Sequence, residues 1–205
     1  MAKIDFKVEW TDLYHPPRDD FQVVEVPDLQ FLMIDGQGDP NTAAAYQQAL
    51  EALYAVAYKI KFLSKKGDRD YVVPPLEGLW WAEDMEAFTS ARDKERWEWT
   101  MMIMTPPWIS GEAYHRAVGE VREKKDPPAL DKIRLEDYAE GLAVQILHLG
   151  PYEEEGPVLE RLHQRWMPEE GYVPNGKHHE IYLSDPRRTA PENLKTILRQ
   201  PIRPV

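Results

Sequence analysis

The stretch KHHEIYLSDP (Lys177–Pro186) predicts a short β-strand closed by a turn, because an aliphatic and aromatic centre runs into Ser-Asp-Pro. Side chains alternate along a strand, so Ile181 and Leu183 share one face while His178, Glu180 and Tyr182 share the other. The first face is suited to packing against a core. Glutamate is disfavoured in strands, and Glu180 is therefore either a solvent-facing residue of a one-sided sheet or a functional carboxylate on the wall of a cavity.

The composition is that of a globular chain of 205 residues, of which 42% are hydrophobic and 30% are charged. The 36 acidic and 25 basic residues leave a net charge of -11, which argues against nucleic acid or an anionic membrane as the partner. Cationic ligands are compatible with that charge. The chain has no cysteine, so disulfides, thiolate metal sites and a cysteine nucleophile are excluded.

The sequence contains no segment that predicts export or membrane insertion. The N-terminal residues Met1–Lys7 have no apolar signal core. The most apolar helical stretch, Leu50–Leu63, is interrupted by charged residues and cannot span a bilayer. We therefore expect a cytoplasmic protein, either a monomer or a homodimer. The 7 tryptophans and 10 tyrosines are a heavy aromatic content for this length, and they suggest a ligand cavity.

Hydrophobic periodicity predicts both strands and helices in the rest of the chain. Strands are predicted at residues 30–34, 78–82, 97–104, 141–149, 179–183 and 194–202. Helices are predicted from a cap at Asn41 or Thr42 to about Lys66, from a cap at Ser110 to about Lys125, and from the turn at residues 150–157 to Trp166. Three segments are predicted to be less regular: a charged helical or looped segment at 87–96, a connector with one amphipathic turn at 130–139, and a loop at 168–176.

The order of these elements repeats. Each half reads strand, glycine-containing turn, helix and two strands, so the prediction is a duplicated β-α-β-β unit of the α+β class. Chance recurrence of a common order is the alternative. We predict an N-terminal arm at residues 1–20 and a single domain at 21–205, with halves at about 21–110 and 140–205. Such halves are expected to form antiparallel sheets with helices on one face and a ligand cleft on the opposite, concave face, where Glu180 faces Trp80 or Trp81.

Two motifs support a family assignment. LGPYEEEG (Leu149–Gly156) and HEIYL (His179–Leu183), within the duplicated order, resemble the GyrI-like small-molecule-binding domains over about residues 20–205. In related effector domains of multidrug-responsive regulators, the glutamate of this strand lies at the floor of an aromatic pocket and meets planar cationic ligands. That resemblance implies the same role for Glu180. The sequence shows no helix-turn-helix before the domain, so a DNA-binding half is not expected.

The resemblance also extends to stand-alone enzymes, the cyclopropanoid cyclopropyl hydrolases, which use water to open the strained cyclopropane of DNA-alkylating compounds. It implies Glu180 and a second carboxylate within Glu153–Glu155 as catalytic residues, and we select Glu155 because it directly precedes Gly156-Pro157. A carboxylate desolvated by aromatic rings can accept a proton from water, and a tyrosine can donate to the oxygen that becomes negative. The ligand-binding residues expected are Tyr152, Tyr182, Trp80, Trp81, Trp99 and Trp166. Neither a cofactor nor a metal is expected.

Other functions fit the sequence less well. The same cavity could bind cationic aromatic compounds without chemistry, as a sensor or a sequestering protein. A DNA gyrase-interacting protein is a lower alternative that follows from other relatives. Glu112-x-x-His115 and Glu160-x-x-His163 have the spacing of di-iron bundles, but four long helices are incompatible with the strand pattern and 18 prolines. Both pairs are therefore interpreted as solvated helix faces.

Overall fold

The structure, a computed structural model, describes residues 3–82 and 94–205. It divides into two compact units, the first made of Met1–Glu9 and Leu29–Tyr138 and the second of Trp10–Asp28 and Ala139–Val205. Each unit therefore combines a short N-terminal segment with a longer, later one. Of the charged segment predicted at 87–96, residues 87–93 lie outside the described residues, and Lys94–Arg96 form a 3-10 turn.

In chain order the elements are α1 (Phe6–Glu9), α2 (Thr11–Tyr14), β1 (Gln22–Val26), β2 (Leu29–Gln37), α3 (Ala44–Lys66), β3 (Leu76–Trp81), β4 (Glu98–Thr105), α4 (Gly111–Lys124), β5 (Arg134–Tyr138), β6 (Gly141–Leu149), α5, β7 (Tyr172–Pro174), β8 (His178–Tyr182) and β9 (Lys195–Pro204). Helix α5 consists of α-helical turns at Gly156–Glu160 and Met167–Glu170 around a π-helical stretch, Arg161–Trp166. None of the helices in the described part of the chain is long and apolar enough to cross a membrane.

The first unit contains an antiparallel sheet with the strand order β3-β4-β2-β5. Helix α3 packs against β2 and β4, and α4 packs against α3. The apolar residues at three- and four-residue steps are the buried side of α3, where Ala49, Leu53, Val56 and Ile60 are fully buried. The predicted helix therefore forms because one stripe of its surface faces the sheet.

The two predicted helix caps of this unit had different outcomes. Ser110 does cap α4, since its hydroxyl oxygen accepts a hydrogen bond of 3.2 Å from the Ala113 N–H. The cap predicted for α3 at Asn41 or Thr42 is wrong, because the helix begins at Ala44 and Ala43 is its N-cap. The chain is still in a turn at residues 41 and 42, where the backbone amides bond back to Asp39.

The second unit has an antiparallel sheet with the order β1-β6-β9-β8, and β7 pairs with the far end of β9. Val144 of β6 and Ile202 of β9 form a buried cluster with Leu162 and Met167 of α5. The π-helical stretch precedes Pro168, which has no N–H to continue the α-helical pattern and whose ring crowds the preceding turn. The π turn is therefore a local accommodation of proline within a continuous helix.

Three strands lie where the sequence predicts none, and the first of them is β1, which precedes the strand predicted at 30–34. Strand β5 falls within the predicted connector at 130–139, and β7 falls within the predicted loop at 168–176, where α5 also continues to Glu170. Both predictions are wrong for the same reason. β5 is rich in charged residues and β7 has three residues, so neither shows an apolar alternation that periodicity can detect.

The strand pairing confirms the α+β class with antiparallel sheets. The order β3-β4-β2-β5 in the first unit matches β8-β9-β6-β1 in the second, strand for strand. The edge strands are exchanged along the chain, because β1 precedes β2 in sequence but pairs with β6, and β5 precedes β6 but pairs with β2. The repeat is therefore present in the topology, and each unit is completed by a strand from the other repeat's chain segment.

Candidate functional site

Strand β8 directs Glu180 toward the face of the second sheet that α5 covers. The register places Glu180 beside Leu198 of β9, which lies beside Ile146 of β6. Val144 is two residues from Ile146, on the same face, and it packs against Leu162 of α5. From the sequence, Glu180 is expected on the face opposite the helices. The structure differs because alternation along a strand defines two faces without indicating which of them a helix will cover.

Both carboxylate oxygens of Glu180 have a neighbour from the same strand face. The Tyr182 hydroxyl donates a hydrogen bond of 2.7 Å to Oε2 of Glu180. On the other side, Nε2 of His178 lies 3.5 Å from Oε1, and the two side chains are 3% and 13% exposed for His178 and Glu180. These contacts follow from the i and i+2 spacing of a strand, and they leave the carboxylate only slightly open to solvent.

Tyr152 lies in the turn between β6 and α5 and brings a second phenol to this site. Its ring meets the ring of Tyr182 edge to face, with centroids 5.8 Å apart. Burial, and then the negative charges of Glu155 and Glu180, raise the pKa of Tyr152 to about 12. The phenol therefore stays protonated at neutral pH, and its O–H can donate a hydrogen bond to a ligand.

Glu155 is held at the start of α5 by the turn that contains Tyr152. It is 4% exposed and is the N-cap residue of the helix, where its carbonyl accepts bonds from the N–H groups of Val158 and Leu159. A carboxylate at this position also interacts favourably with the partial positive charge of the helix N-terminus. The glycine before the turn, Gly150, has φ of +138°, a backbone conformation that favours glycine.

His163 comes from the π-helical stretch of α5. Burial, and then the charge of His178, lower the pKa of His163 to about 4. Its imidazole is therefore neutral at physiological pH. The sequence analysis assigns this histidine to a solvated helix face, whereas the structure places it partly buried. The reason is that α5 turns this part of its surface toward the sheet.

Taken together, these contacts assemble two carboxylates, two phenols and two imidazoles within one unit. The sequence model of one protein family, the GyrI-like small-molecule-binding domain, matches residues 19–203. The chain belongs to the GyrI-like family. A comparison with curated proteins, in contrast, found none that is significantly similar to this chain.

Two solved structures from Listeria innocua share the fold of this GyrI-like chain over nearly its whole length. One is titled an uncharacterized conserved protein and has 41% identity and a TM-score of 0.90, covering 98% of this chain and 100% of its own. The other is titled a hydrolase encoded by lin2189 and has 40% identity and a TM-score of 0.87, with the same coverage of both chains. The EcmrR C-terminal domain shares the fold alone, at 11% identity and a TM-score of 0.57, covering 91% of this chain and 98% of its own.

Four of the residues predicted for the site of the GyrI-like domain therefore meet in the second unit: Glu180, Tyr182, Tyr152 and Glu155. Trp166, also in this unit, belongs to an aromatic cluster in which it stacks on Tyr172 with ring centroids 5.9 Å apart. The cluster also includes Phe21, whose ring centroid is 5.6 Å from that of Trp166.

The other three predicted tryptophans of the GyrI-like domain belong to the first unit. Trp99 is fully buried, and its indole N–H donates a hydrogen bond of 3.3 Å to the Gly38 carbonyl. Trp80 is 4% exposed and meets Trp97 edge to face. Trp81 is half-buried. A contact between these tryptophans and a ligand stays a prediction.

The opposite face of the second sheet holds a buried ionic network that the sequence analysis does not identify. Glu140 lies 2.8 Å from Nδ1 of His179 and accepts a hydrogen bond of 3.2 Å from Arg199. Arg199 also donates to Gln145 and to the carbonyl of Leu13. Burial alone would raise the pKa of Glu140, but His179 and Arg199 outweigh it and lower this pKa to about 2.

A signal for this network is present in the sequence. Arg199 and Gln200 follow the apolar pair Ile197-Leu198 within a predicted strand, and Gln145 interrupts the apolar run Ala143–Leu147. A polar residue within a buried strand requires a polar partner. What the sequence does not show is that the register pairs Gln145 with Arg199, and Arg199 with His179. Across the described ranges, no group of three or more histidine or acidic side chains is arranged to hold a metal ion.

Proposed function

We propose that this GyrI-like protein is a hydrolase that binds planar hydrophobic compounds and opens their cyclopropane ring with water. The observation that carries this proposal is the convergence of two carboxylates on one phenol. Burial is the main cause that raises the pKa of Tyr152 to about 12, and the negative charges of Glu155 and Glu180, which come from different elements, add to it. A base and a proton donor are therefore held close together in a largely desolvated place.

The reaction requires a base for water and a donor for the oxygen that gains charge. In the proposed step, Glu180 takes a proton from water as the water oxygen bonds to a cyclopropane carbon. The ring C–C bond breaks, and its electron pair moves through the conjugated system to the carbonyl oxygen of the substrate. Tyr152 donates its proton to that oxygen and recovers one from the Glu180 carboxyl group. The net change is the addition of one water molecule.

The contacts of Glu180 fit the role of base. Tyr182 donates to Oε2, which orients the carboxylate and leaves the Tyr152 hydroxyl to donate to the substrate oxygen. Glu155, buried at the start of α5, is proposed to orient the attacking water through its carboxylate. The rings of Tyr152 and Tyr182 would contact the flat substrate.

Similarity to solved structures supports hydrolysis over binding alone. Two Listeria innocua structures, each 40% identical to this chain and covering 98% of it, are described as hydrolases. The class of substrate in this proposal comes from the resemblance of the motifs at Leu149–Gly156 and His179–Leu183 to the cyclopropanoid hydrolases. The protein would thereby remove a DNA-alkylating compound.

The test is turnover of a cyclopropanoid alkylating compound, with product identified by the mass gain of one water molecule. We expect Glu180→Gln and Glu155→Gln each to lower kcat by about 10²-fold or more, as for loss of a general base. Tyr152→Phe is expected to lower kcat by about 10²-fold through loss of the donor. The matched control is Glu160→Gln, which changes an exposed glutamate of α5 and is expected to keep the wild-type rate.

Two results would contradict the proposal. Glu180→Gln and Glu155→Gln proteins that both turn over the compound at the wild-type rate would exclude the assigned carboxylates. Quenching of tryptophan fluorescence by the compound, without any product from the wild-type protein, would instead indicate the binding-only alternative. In that case the family's small-molecule binding would remain and the hydrolytic step would be rejected.

A further inference from the structure

His178 is the nearly buried neighbour of Glu180 to which the hydrolytic scheme assigns no role. Its side chain is 3% exposed, and its Nε2 lies 3.5 Å from Oε1 of Glu180. Histidine is costly to bury without a polar function or partner. The two adjacent histidines of β8 have different surroundings. His178 shares the face of Glu180, whereas His179 lies on the opposite face and contacts Glu140.

The geometry around Glu180 is that of a carboxylate held between two donors. Tyr182, at i+2, contacts Oε2, while His178, at i−2, contacts Oε1. The distance of 3.5 Å is longer than a formed hydrogen bond, but such contacts in ligand-free sites commonly shorten when the substrate binds. Donors on both oxygens fix the direction in which a carboxylate points, and therefore which of its lone pairs faces a bound water.

The surroundings within the second unit are consistent with this pairing. The β6 and β9 residues beside Glu180 are apolar, namely Ile146 and Leu198. Titratable groups near Glu180 on this face include His163 from α5, Tyr152 and Glu155 from the preceding turn, Tyr182 from β8 and His148 from β6; Glu25 of the edge strand β1 lies on the same face and is exposed. His163 is neutral at physiological pH because burial and then the charge of His178 lower its pKa to about 4.

We propose that His178 is a positioning residue for Glu180: its Nε2–H pairs with Oε1 and, together with the Tyr182 hydroxyl, holds the carboxylate in the orientation that accepts a proton from water. This inference rests on the proposed hydrolysis and adds a residue to it. No atom of His178 enters a bond to the substrate. When Glu180 carries the proton taken from water, His178 Nε2 no longer faces a charge, and the proton is passed on to Tyr152.

The kinetic test uses His178→Gln, which keeps a polar side chain but loses the imidazole. Against a cyclopropanoid alkylating compound we expect kcat to fall by about 10-fold to 10²-fold with KM unchanged, and the dependence of kcat on pH to change shape. His15→Gln, which changes an exposed histidine of the same unit, is the matched control and should keep both the rate and the pH profile. A His178→Gln enzyme with wild-type kcat and pH profile would overturn the inference.

A second readout is independent of turnover. In the wild-type protein labelled with ¹⁵N at histidine, we expect the Nε2 signal of His178 to be that of a protonated nitrogen, and Glu180→Gln to change it. If the wild-type protein fails to hydrolyse the compound, the proposed function fails, and this spectrum still decides the pairing. An Nε2 signal that is the same in wild-type and Glu180→Gln proteins would overturn the pairing, whatever the activity.

Discussion

The most informative perturbation of the fold is removal of the Glu140 charge from the buried network of the second unit. The Glu140 side chain is 1% exposed, and it contacts His179 at 2.8 Å and Arg199 at 3.2 Å. Glu140→Gln keeps the shape but removes the charge that compensates Arg199. The buried guanidinium would then be left without its carboxylate partner, although Gln145 and the Leu13 carbonyl would still accept from it.

Two lines of reasoning give the same magnitude for this change. Removing one partner of a buried ion pair typically costs about 3–5 kcal/mol. Separately, the network lowers the pKa of Glu140 from an ordinary 4.5 to about 2, which corresponds to about 3 kcal/mol of stability at neutral pH. We therefore expect Glu140→Gln to lower the free energy of unfolding by about 3 kcal/mol, a large part of the stability of a typical protein.

The sign of the pH dependence follows from the lowered pKa. Because the folded protein holds Glu140 ionised more strongly than the unfolded chain does, its contribution is fully present above about pH 4.5 and is lost as the pH falls toward 2. The difference in unfolding free energy between the wild-type and Glu140→Gln proteins should therefore narrow at low pH.

The first unit suggests the matched double variant. Aligning the two sheets on Gly38 and Gly150, the turn glycines with positive φ, makes Met33 and Met102 the counterparts of Gln145 and Arg199. The pair of positions held by Gln145 and Arg199 can therefore be apolar in this fold. We expect the double variant Glu140→Gln/Arg199→Met to lose about 2 kcal/mol less unfolding free energy than the sum of the losses of the two single variants.

Urea unfolding, followed by fluorescence and circular dichroism together, measures these free energies, and amide exchange of β8 and β9 shows whether the loss lies in the second unit. Single and double changes that add within about 0.5 kcal/mol would refute the coupling. A cost of Glu140→Gln that is the same at neutral and at low pH would refute the electrostatic reasoning.

Two further predictions concern other parts of the chain. Gly36→Ala would place a Cβ 2.1 Å from the fully buried Trp99 ring, so we expect it to lower the unfolding free energy by about 1–3 kcal/mol and to lower Tm. The control Gly119→Ala, in an open position of α4, should not lower Tm, and equal Tm values for the two variants would contradict the packing argument. The pKa of His163 is lowered to about 4 in the folded protein, so below its ordinary pKa of 6.5 the unfolded chain binds a proton more readily than the folded one. Between about pH 7.5 and pH 5 the wild-type protein should therefore lose about 2 kcal/mol more unfolding free energy than His163→Gln, and parallel curves of unfolding free energy against pH, measured in urea, would count against this.

The local elements were largely predictable, because their signals have short periods. The alternation at residues 177–186 predicts β8, and the apolar stripe predicts α3. Ser110 predicts the start of α4, since the cap oxygen and the N–H group that donates to it lie within one turn. The strands β5 and β7 were missed because their pairing with longer strands, rather than their own composition, makes them strands.

The site was predictable in its members more than in its arrangement. Glu180 and Tyr182 follow from one strand, and Tyr152 and Glu155 follow from one motif. Alternation places His178 on the face of Glu180, but neither His178 nor His163 was assigned to the site, because a histidine pattern by itself gives no sign of what faces it. Only the packing of α5 on the sheet brings His163 to the side of Glu180.

By itself the sequence determined the α+β class, the repeated order of elements, the family motifs and the absence of thiol chemistry. Tertiary structure decided which face of β8 the helix covers, which strand completes each sheet, and that Glu140 meets Arg199. The physical reason is range. Periods of two and 3.6 residues are written in neighbouring side chains, whereas Arg199 finds the Leu13 carbonyl 186 residues away in sequence, and only the folded sheet brings the two together.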